Sequence, residues 1–279
     1  MLKHFFLAVP LLAGLLHSTA QIKLPAPSPL QTIKQEFGIG SIELVYSRPS
    51  AKNRKVLGDL VPTGKLWRTG ANAATRISFS HPVEIGGKKI DSGTYALYTI
   101  PAEDNWEIIL NRGIKNWGTD GYKEGEDVIR FKAEVFKSKT ILETFTIQFA
   151  SIASASCTMQ LMWDNRVVNI PILMDIKDKL KASVEAALLS EKKPHWQAAQ
   201  FYYEYEHNLP RALEQVNKAI ETNQKAFWIH HYKARIQKDM GDTAGAITSA
   251  TTSLQLAKDA ANDDYIRMNQ QMLKDLKKL

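Results

Sequence analysis

GTYALYTIP (Gly93–Pro101) and, shortly after it, NWEIILN (Asn105–Asn111) decide the fold. Both are strand-length runs rich in β-branched and aromatic residues and are bounded by turn formers. The same texture continues on either side. SIELVYS (Ser41–Ser47) alternates, with Ile42, Leu44 and Tyr46 on one face. TRISFS, DVIRFKAEVF, LETFTIQFA, CTMQLMW and VVNIPIL extend the strand pattern to Leu173. EIGGKKI (Glu84–Ile90) reads as a tight hairpin on Gly86–Gly87, and Gly93 in DSGTY supplies a further turn. Eight or more strands with no helical pattern between them predict an all-β antiparallel sandwich, jelly-roll-like. Two connections are long for such a body, Arg48 to Ala74 and Arg112 to Asp127, and long loops in compact β folds tend to carry function.

At about Met174 the period changes. DIKDKLKASVEAALLSEKK places Ile176, Leu180, Val184 and Leu188 in one apolar stripe until Pro194 ends it. HWQAAQFYYEYEHNLPRALEQVNKAIETN (from His195) then aligns with IHHYKARIQKDMGDTAGAITSATTSLQLA (from Ile229) at a shift of 34 residues. The shift superimposes Ala212 on Ala246, Val216 on Ala250, Ala219 on Ser253 and His207 on Gly241. A helix–turn–helix period of this length, with small residues at the crossing points, resembles tetratricopeptide repeats. Trp196 and Gly241 stand where that motif prefers Trp and Gly. The first repeat departs from it at Ala199–Gln200, in place of Leu–Gly, and at Gln224, in place of Pro. DDYIRMNQQMLKDLKKL, with Tyr265, Met268, Met272 and Leu276 on one face, reads as a solubilising cap. His230 and His231 are adjacent, so a helix splays them about 100° apart, and they read as a solvated pair rather than joint metal ligands.

The chain of 279 residues has room for both parts, and its 44% hydrophobic and 23% charged content are those of a globular protein. Its net charge of +7 comes without a basic stripe, since Lys and Arg are interspersed with Asp and Glu, so no nucleic-acid partner is expected. MLKHFFLAVPLLAGLLHSTA has a cationic start, an apolar run from Phe5 to Leu16, and Ser18 and Ala20 at −3 and −1 of a cleavage point before Gln21. This is the pattern of a secretory signal peptide, with an apolar run of about twelve residues, too short to span a bilayer. No membrane span is expected elsewhere, and the localisation expected is exported, periplasmic or extracellular. Cys157 is the single cysteine, so no intramolecular disulfide forms, and it reads as a small buried apolar residue. The expected limits are therefore 1–20 signal peptide, 21–173 β-sandwich and 174–279 helical domain with a terminal capping helix.

Chemistry is sparse. GxSxG, HExxH, GxxxxGK[ST] and GxGxxG are all absent, and no metal or cofactor is expected. WGTDGYKEGED (Trp117–Asp127) is acidic and glycine-rich but lacks EF-hand spacing. The densest polar constellation lies in the two long loops. The first, YSRPSAKNRKVLGDLVPTGKLWRTGANAAT, holds Tyr46, Arg48, Arg54, Trp67, Arg68, Asn72 and Thr75; the second adds Trp117, Tyr122 and, just beyond, Arg130. Guanidinium forks suit carboxylate, phosphate or sulfate, and indole and phenol faces suit sugar rings. The same residues also admit a purely structural role, with Trp67 plugging the end of the sandwich and Arg48 and Arg68 satisfying loop carbonyls or Asp59.

Together the segments SRPSAKNR, WRTGANAAT and GTYALYTIP resemble the domain of unknown function 2911 family of secreted Bacteroidetes proteins, over roughly Lys23 to Leu173. The resemblance implies that Arg48, Pro49, Arg54, Trp67, Arg68, Gly70, Asn72 and Thr75 match motif positions; it carries no activity. Leu57 and Thr63 stand where the family usually has aromatic residues. The function expected is a non-enzymatic exported protein with a loop pocket for a small anionic or carbohydrate ligand and a helical surface for a protein partner. A hydrolase of envelope polymers, using Asp59, Asp120, Glu124 or His81 near Trp67, is the alternative, and a scaffold without a pocket is the third reading.

Overall fold

A computed structural model describes residues 24–278; residues 1–20, expected from the sequence to be a signal peptide, lie outside the described residues. The β part contains β1 (Leu30–Phe37), β2 (Gly40–Ser47), β3 (Ala71–Phe79), β4 (Val83–Ile85), β5 (Lys88–Ile90), β6 (Gly93–Ile100), β7 (Asn105–Asn111), β8 (Asp127–Ala150) and β9 (Ser156–Leu173). All pairings are antiparallel, in the order β1-β2-β3-β6-β7-β8-β9-β4-β5. A jelly roll would wind as Greek keys. This order is instead a meander, because consecutive strands pair directly and only the β4–β5 hairpin crosses over to β9. That hairpin turns on Gly86 and Gly87, at φ +57 and +73, as the sequence predicts for a two-residue loop.

The ladder is bent at β8. Its first part pairs with β7, from Asp127 to Glu134, and its later part pairs with β9, from Val135 to Ala150. The 24-residue strand thus leaves one layer and enters a second, which lies across the first. Side chains from both layers fill one core, including Leu44 and Tyr46 of β2, Ile77 of β3, Ile108 of β7, Phe145 of β8 and Met159 of β9. Along β9 the inward parity switches from odd (Cys157, Met159, Leu161, Trp163) to even (Val168, Ile170, Ile172). Asp164, at φ +54, makes that switch where the β8–β9 register slips. Cys157 is 2% exposed, and burial pushes its thiol up to about 11, so it behaves as a small core residue rather than a nucleophile.

Six helices follow: α1 (Lys177–Leu188), α2 (His195–Glu204), α3 (Leu209–Thr222), α4 (Phe227–Asp239), α5 (Thr243–Asp259) and α6 (Asp263–Leu276). Each of α2 to α5 packs on its successor. The starts of α3 at Leu209 and α5 at Thr243 carry the 34-residue offset seen in the sequence. Ala198, Ala199, Ala212 and Ala219 are buried in the helical core, small residues that let neighbouring helices approach closely. Asn208, Asp242 and Asn262 cap α3, α5 and α6, each accepting a backbone N–H three residues on. Ile176 belongs to the β core, and Leu180, one turn into α1, touches both the β core and the helical core, so α1 joins the two parts. No helix among the described residues is long and apolar enough to cross a membrane.

His231 differs from the sequence expectation of a solvated surface residue. It is 6% exposed, its Nδ1 lies 2.8 Å from Asn269 Oδ1, and Asn269 itself is fully buried. Asn269 Nδ2 donates to Ser253 Oγ (2.8 Å) and to Tyr265 O (2.7 Å), which leaves its Oδ1 to accept from a protonated Nδ1. Ser253 Oγ in turn donates to Phe227 O at 2.7 Å. One buried polar chain thereby ties α4, α5 and α6 together. Burial holds the imidazole below its ordinary value, with the Asn269 bond opposing in part. The unfolded chain therefore takes up a proton that the folded chain refuses. Helical stability is full above the free imidazole value of about 6.5 and falls as pH drops below it. Thermal melts followed by helical ellipticity at about pH 7.5 and about pH 5 should show this loss, and His231→Gln should flatten it.

Candidate functional site

The loop from Arg48 to Gly70 leaves β2 and closes one end of the two-layered body. Its apolar residues Val56, Leu57, Val61 and Trp67 point inward and are buried. Trp67 is 5% exposed and sits among Trp106 (5.9 Å between centroids), Phe145 (5.0 Å) and Trp163 (6.1 Å). Its backbone exchanges two hydrogen bonds with Thr99, at 2.7 and 2.9 Å. The indole is thus the plug of the core end, and a substrate cannot reach it.

Tyr46 and Arg48 serve the free side of β8. In its later part β8 pairs with β9 on one flank, while on the other only residues 49–51 add main-chain bonds, around Thr144, so the groups from Phe145 O to Ile147 N–H need other partners. Tyr46 Oη accepts Ile147 N–H at 2.8 Å and donates to Gln31 Oε1 at 2.8 Å. Arg48 Nε donates to Phe145 O (3.1 Å), and Nη2 donates to Thr146 Oγ1 (2.7 Å). Arg54 folds back on its own turn, donating to Ala51 O (3.0 Å) and Ser50 O (3.1 Å). These guanidinium groups are occupied by main-chain and hydroxyl oxygens.

The second loop, residues 112–126, lies over the outer face of the first layer. There Ala74, Ala96, Tyr98 and Ile109 form a small second cluster, against which Tyr122 packs. Tyr98 and Tyr122 meet edge to face at 5.1 Å, and Asn116 Nδ2 donates to Tyr98 Oη at 3.2 Å. Arg130 donates to Glu107 (2.8 Å), Asp127 (2.7 Å) and Tyr122 Oη (2.6 Å). Burial works against the Arg130 charge, but the bonds to Asp127 and Glu107 outweigh it and hold the guanidinium protonated more firmly than usual. Burial, and then the bond to Asp127, push the Tyr122 phenol well above its ordinary range. Asn111 Nδ2 adds a bond to Asp127 Oδ1 at 2.8 Å. Tyr122 and Arg130 are therefore members of a closed polar network.

The two loops join directly. Gly118 N–H donates to Asn72 O (3.1 Å), Ala74 N–H donates to Asn116 O (3.3 Å), and Ala73 bridges Trp117. Beneath the junction Thr69 and Thr75 are fully buried, and Thr75 Oγ1 donates to Thr69 O at 2.6 Å. Thr69, at φ +54, and Asn72, at φ +61, hold left-handed conformations; for β-branched Thr69 this stores about 1–3 kcal/mol. The Arg68 side chain crosses the junction beside Gly118, and its Nε is buried without a hydrogen-bond partner. Trp117 stands out at 67% exposure although both its neighbours are anchored. Asn72 Nδ2 reaches Ser47 Oγ at 3.2 Å.

The ten residues singled out in the sequence thus separate into groups. Arg68, Asn72, Thr75 and Trp117 meet at the loop junction; Tyr122 and Arg130 form the network behind it; Tyr46, Trp67, Arg48 and Arg54 belong to the core or brace β8. Asn116 and Glu107 escaped the sequence reading, and Asp127, read there only as one acidic residue of the Trp117–Asp127 stretch, is the partner of Tyr122 and Arg130. Glu107 has the outward parity of β7, two residues from Ile109, the register partner of Arg130, and could have been placed diagonally to Arg130 once the strand order was known. His81 Nδ1 lies 3.1 Å from Ser80 Oγ, and that hydroxyl accepts Ser41 N–H at 2.7 Å, so the pair closes a turn. Among the described residues no group of three or more His, Cys, Asp or Glu is placed to hold a metal ion.

On the helices, Arg235 lies over the rings of Tyr203 and Tyr232, 5.2 Å from each centroid. Tyr232 Oη donates to Glu204 (2.9 Å) and Tyr203 Oη to Asp239, so the face shared by α2 and α4 is polar and aromatic.

A family model described as Protein of unknown function (DUF2911) matches residues 28–172, just over half of the chain. No curated protein and no solved structure matches.

Proposed function

The chain belongs to the DUF2911 family of proteins of unknown function, and from that premise we propose that it is an exported, non-enzymatic binding and scaffold protein. The observation that carries this reading is the junction of the two long loops. There an indole that is 67% exposed is displayed beside an arginine whose buried Nε has no partner. A large aromatic group fixed in solvent by main-chain bonds on both sides lacks a packing role, and an adjacent guanidinium supplies charge and donors. The ligand proposed is a small anionic or hydroxyl-rich molecule, such as an acidic glycan fragment, with its ring face on Trp117 and its anionic group on Arg68. Export rests on the N-terminal segment of the sequence. Helices α2 to α6 are read as a tetratricopeptide-like array with α6 as cap, offering the face around Tyr203 and Arg235 to a protein partner.

The test is calorimetric titration of the protein with uronic-acid oligosaccharides. Trp117→Ala should weaken binding by about tenfold or more while leaving the melting temperature within a degree or two, because an exposed side chain contributes little to stability. Arg68→Lys should weaken it as well, since an ammonium lacks the planar fork. Absence of binding to the unsubstituted protein, or binding unchanged by both substitutions, overturns the ligand reading. That result favours the pure scaffold, a reading supported by the internal engagement of Arg48, Arg54 and Arg130.

A further inference from the structure

Where β9 runs out and α1 begins, a cavity of about 540 Å³ opens between the β4–β9 edge of the second layer and the first turn of the helix. Its floor is apolar: Val83 and Met174 are core residues at 2% and 4% exposure, and Ala155 accepts Met174 N–H at 2.9 Å to close the base. Leu173 stands beside them at 45% exposure, the last residue of β9, with nothing laid over it. Helix α1 does not fill the space, since it buries no residue of its own there, and its first turn has no side-chain cap.

The rim is charged in both senses. Lys89 comes from β5 and Lys179 from α1, while Glu84, Asp175 and Asp178 come from β4, the connection and α1. Five charges around one opening would be expected to neutralise one another. None of them takes part in a side-chain hydrogen bond or in an ion pair among the described residues. Two residues further along α1, Lys181 does pair, with Glu206 at 2.7 Å. The volume lies within the range of about 300–1,000 Å³ typical of small-molecule sites, whose usual design is an apolar interior with a few polar groups that fix orientation.

We propose that this cavity is a second binding site, separate from the loop junction, for a short unblocked peptide with aliphatic side chains. An aliphatic side chain of such a ligand covers Leu173 and the Val83–Met174 floor. Its carboxylate is met by Lys89, Lys179 and the uncapped first turn of α1, and its ammonium by Glu84 and Asp175. A simple anion would meet three carboxylates and a simple cation two lysines, so a molecule carrying both charges matches the rim best.

The experiment is calorimetric titration of the protein with Leu-Leu, with N-acetyl-Leu-Leu, with Leu-Leu-amide and with the doubly blocked dipeptide. Leu-Leu should bind, with each blocked form weaker by about tenfold or more. Leu173→Arg, which fills the opening from an exposed position, should weaken Leu-Leu by a similar factor, and Trp117→Ala should leave it unchanged. Lys179→Ala, on a fully solvated turn, provides a second variant whose folding is not in question, and it too should weaken binding. No heat with Leu-Leu at millimolar concentration overturns the proposal. Equal affinity for the doubly blocked form, tighter binding of the N-acetylated anion, or indifference to both cavity substitutions does so equally.

Discussion

Trp67→Ala is expected to lower the unfolding free energy of the β part by about 3–5 kcal/mol, a large fraction of the about 5–15 kcal/mol that holds an ordinary domain folded. The reason is geometric. Trp67 is in contact with Trp106, Phe145 and Trp163 simultaneously, one from each of β7, β8 and β9, and those rings are themselves fixed by neighbours. Deleting the indole leaves a hole that three rigid aromatic rings cannot close, so the lost transfer energy is joined by a cavity cost. Urea unfolding followed by β-sheet ellipticity should move its midpoint sharply downward, while the helical signal unfolds near its original midpoint. If the β transition moves by less than about 1 kcal/mol, Trp67 is not the plug described here, and the loop closes the core by other means.

Tyr46→Phe removes one oxygen and should still cost about 1–3 kcal/mol. The tyrosine hydroxyl is the partner of Ile147 N–H, and both residues are at 1% exposure. Phenylalanine preserves the ring packing against Phe145 but leaves that N–H buried without an acceptor. The desolvation penalty then falls on the folded state alone. Burial also raises the phenol pKa, with the Ile147 bond opposing in part, so the neutral hydroxyl persists to more alkaline pH than in a free tyrosine. Hydrogen exchange at Ile147 gives the sharper measurement, since its protection should fall in Tyr46→Phe more than that of Met159 on β9. Unchanged protection at Ile147 would show that the edge of β8 is covered by something other than this hydroxyl.

Alternation made the strands legible, and the Gly86–Gly87 turn and the 34-residue offset of the helices could both be read directly. The bend of β8 could not, because DVIRFKAEVF and LETFTIQFA look like two strands when no neighbour is known; a single strand passing between layers leaves no local mark. That bend decides the fate of the candidate residues. Tyr46 and Arg48 look like ligand groups in isolation, since their types suit anions and rings equally well. Only the open flank of β8 explains why they are turned inward. Trp67 and Trp117 are the same residue type on loops of similar composition, and their opposite exposures follow from what each loop covers, the end of the shared core for the first and the outer face of the first layer for the second. His231 was misplaced because adjacency to His230 settles only their relative angle, not which of the two faces α6.

The pairing of Tyr46 with Ile147 joins positions 101 apart in the chain. A polypeptide that emerges N-terminus first displays β2, with its row of Ile42, Leu44 and Tyr46, long before the segment that will cover it exists. Collapse onto nearer partners such as β3 is available at once, but closure of the two β layers must await the far strand, and such distant contacts form slowly. During that interval the half-built sheet is a sticky surface with an open margin, vulnerable to self-association. A chain built this way carries its exposure to misassociation in the interval before its two layers meet.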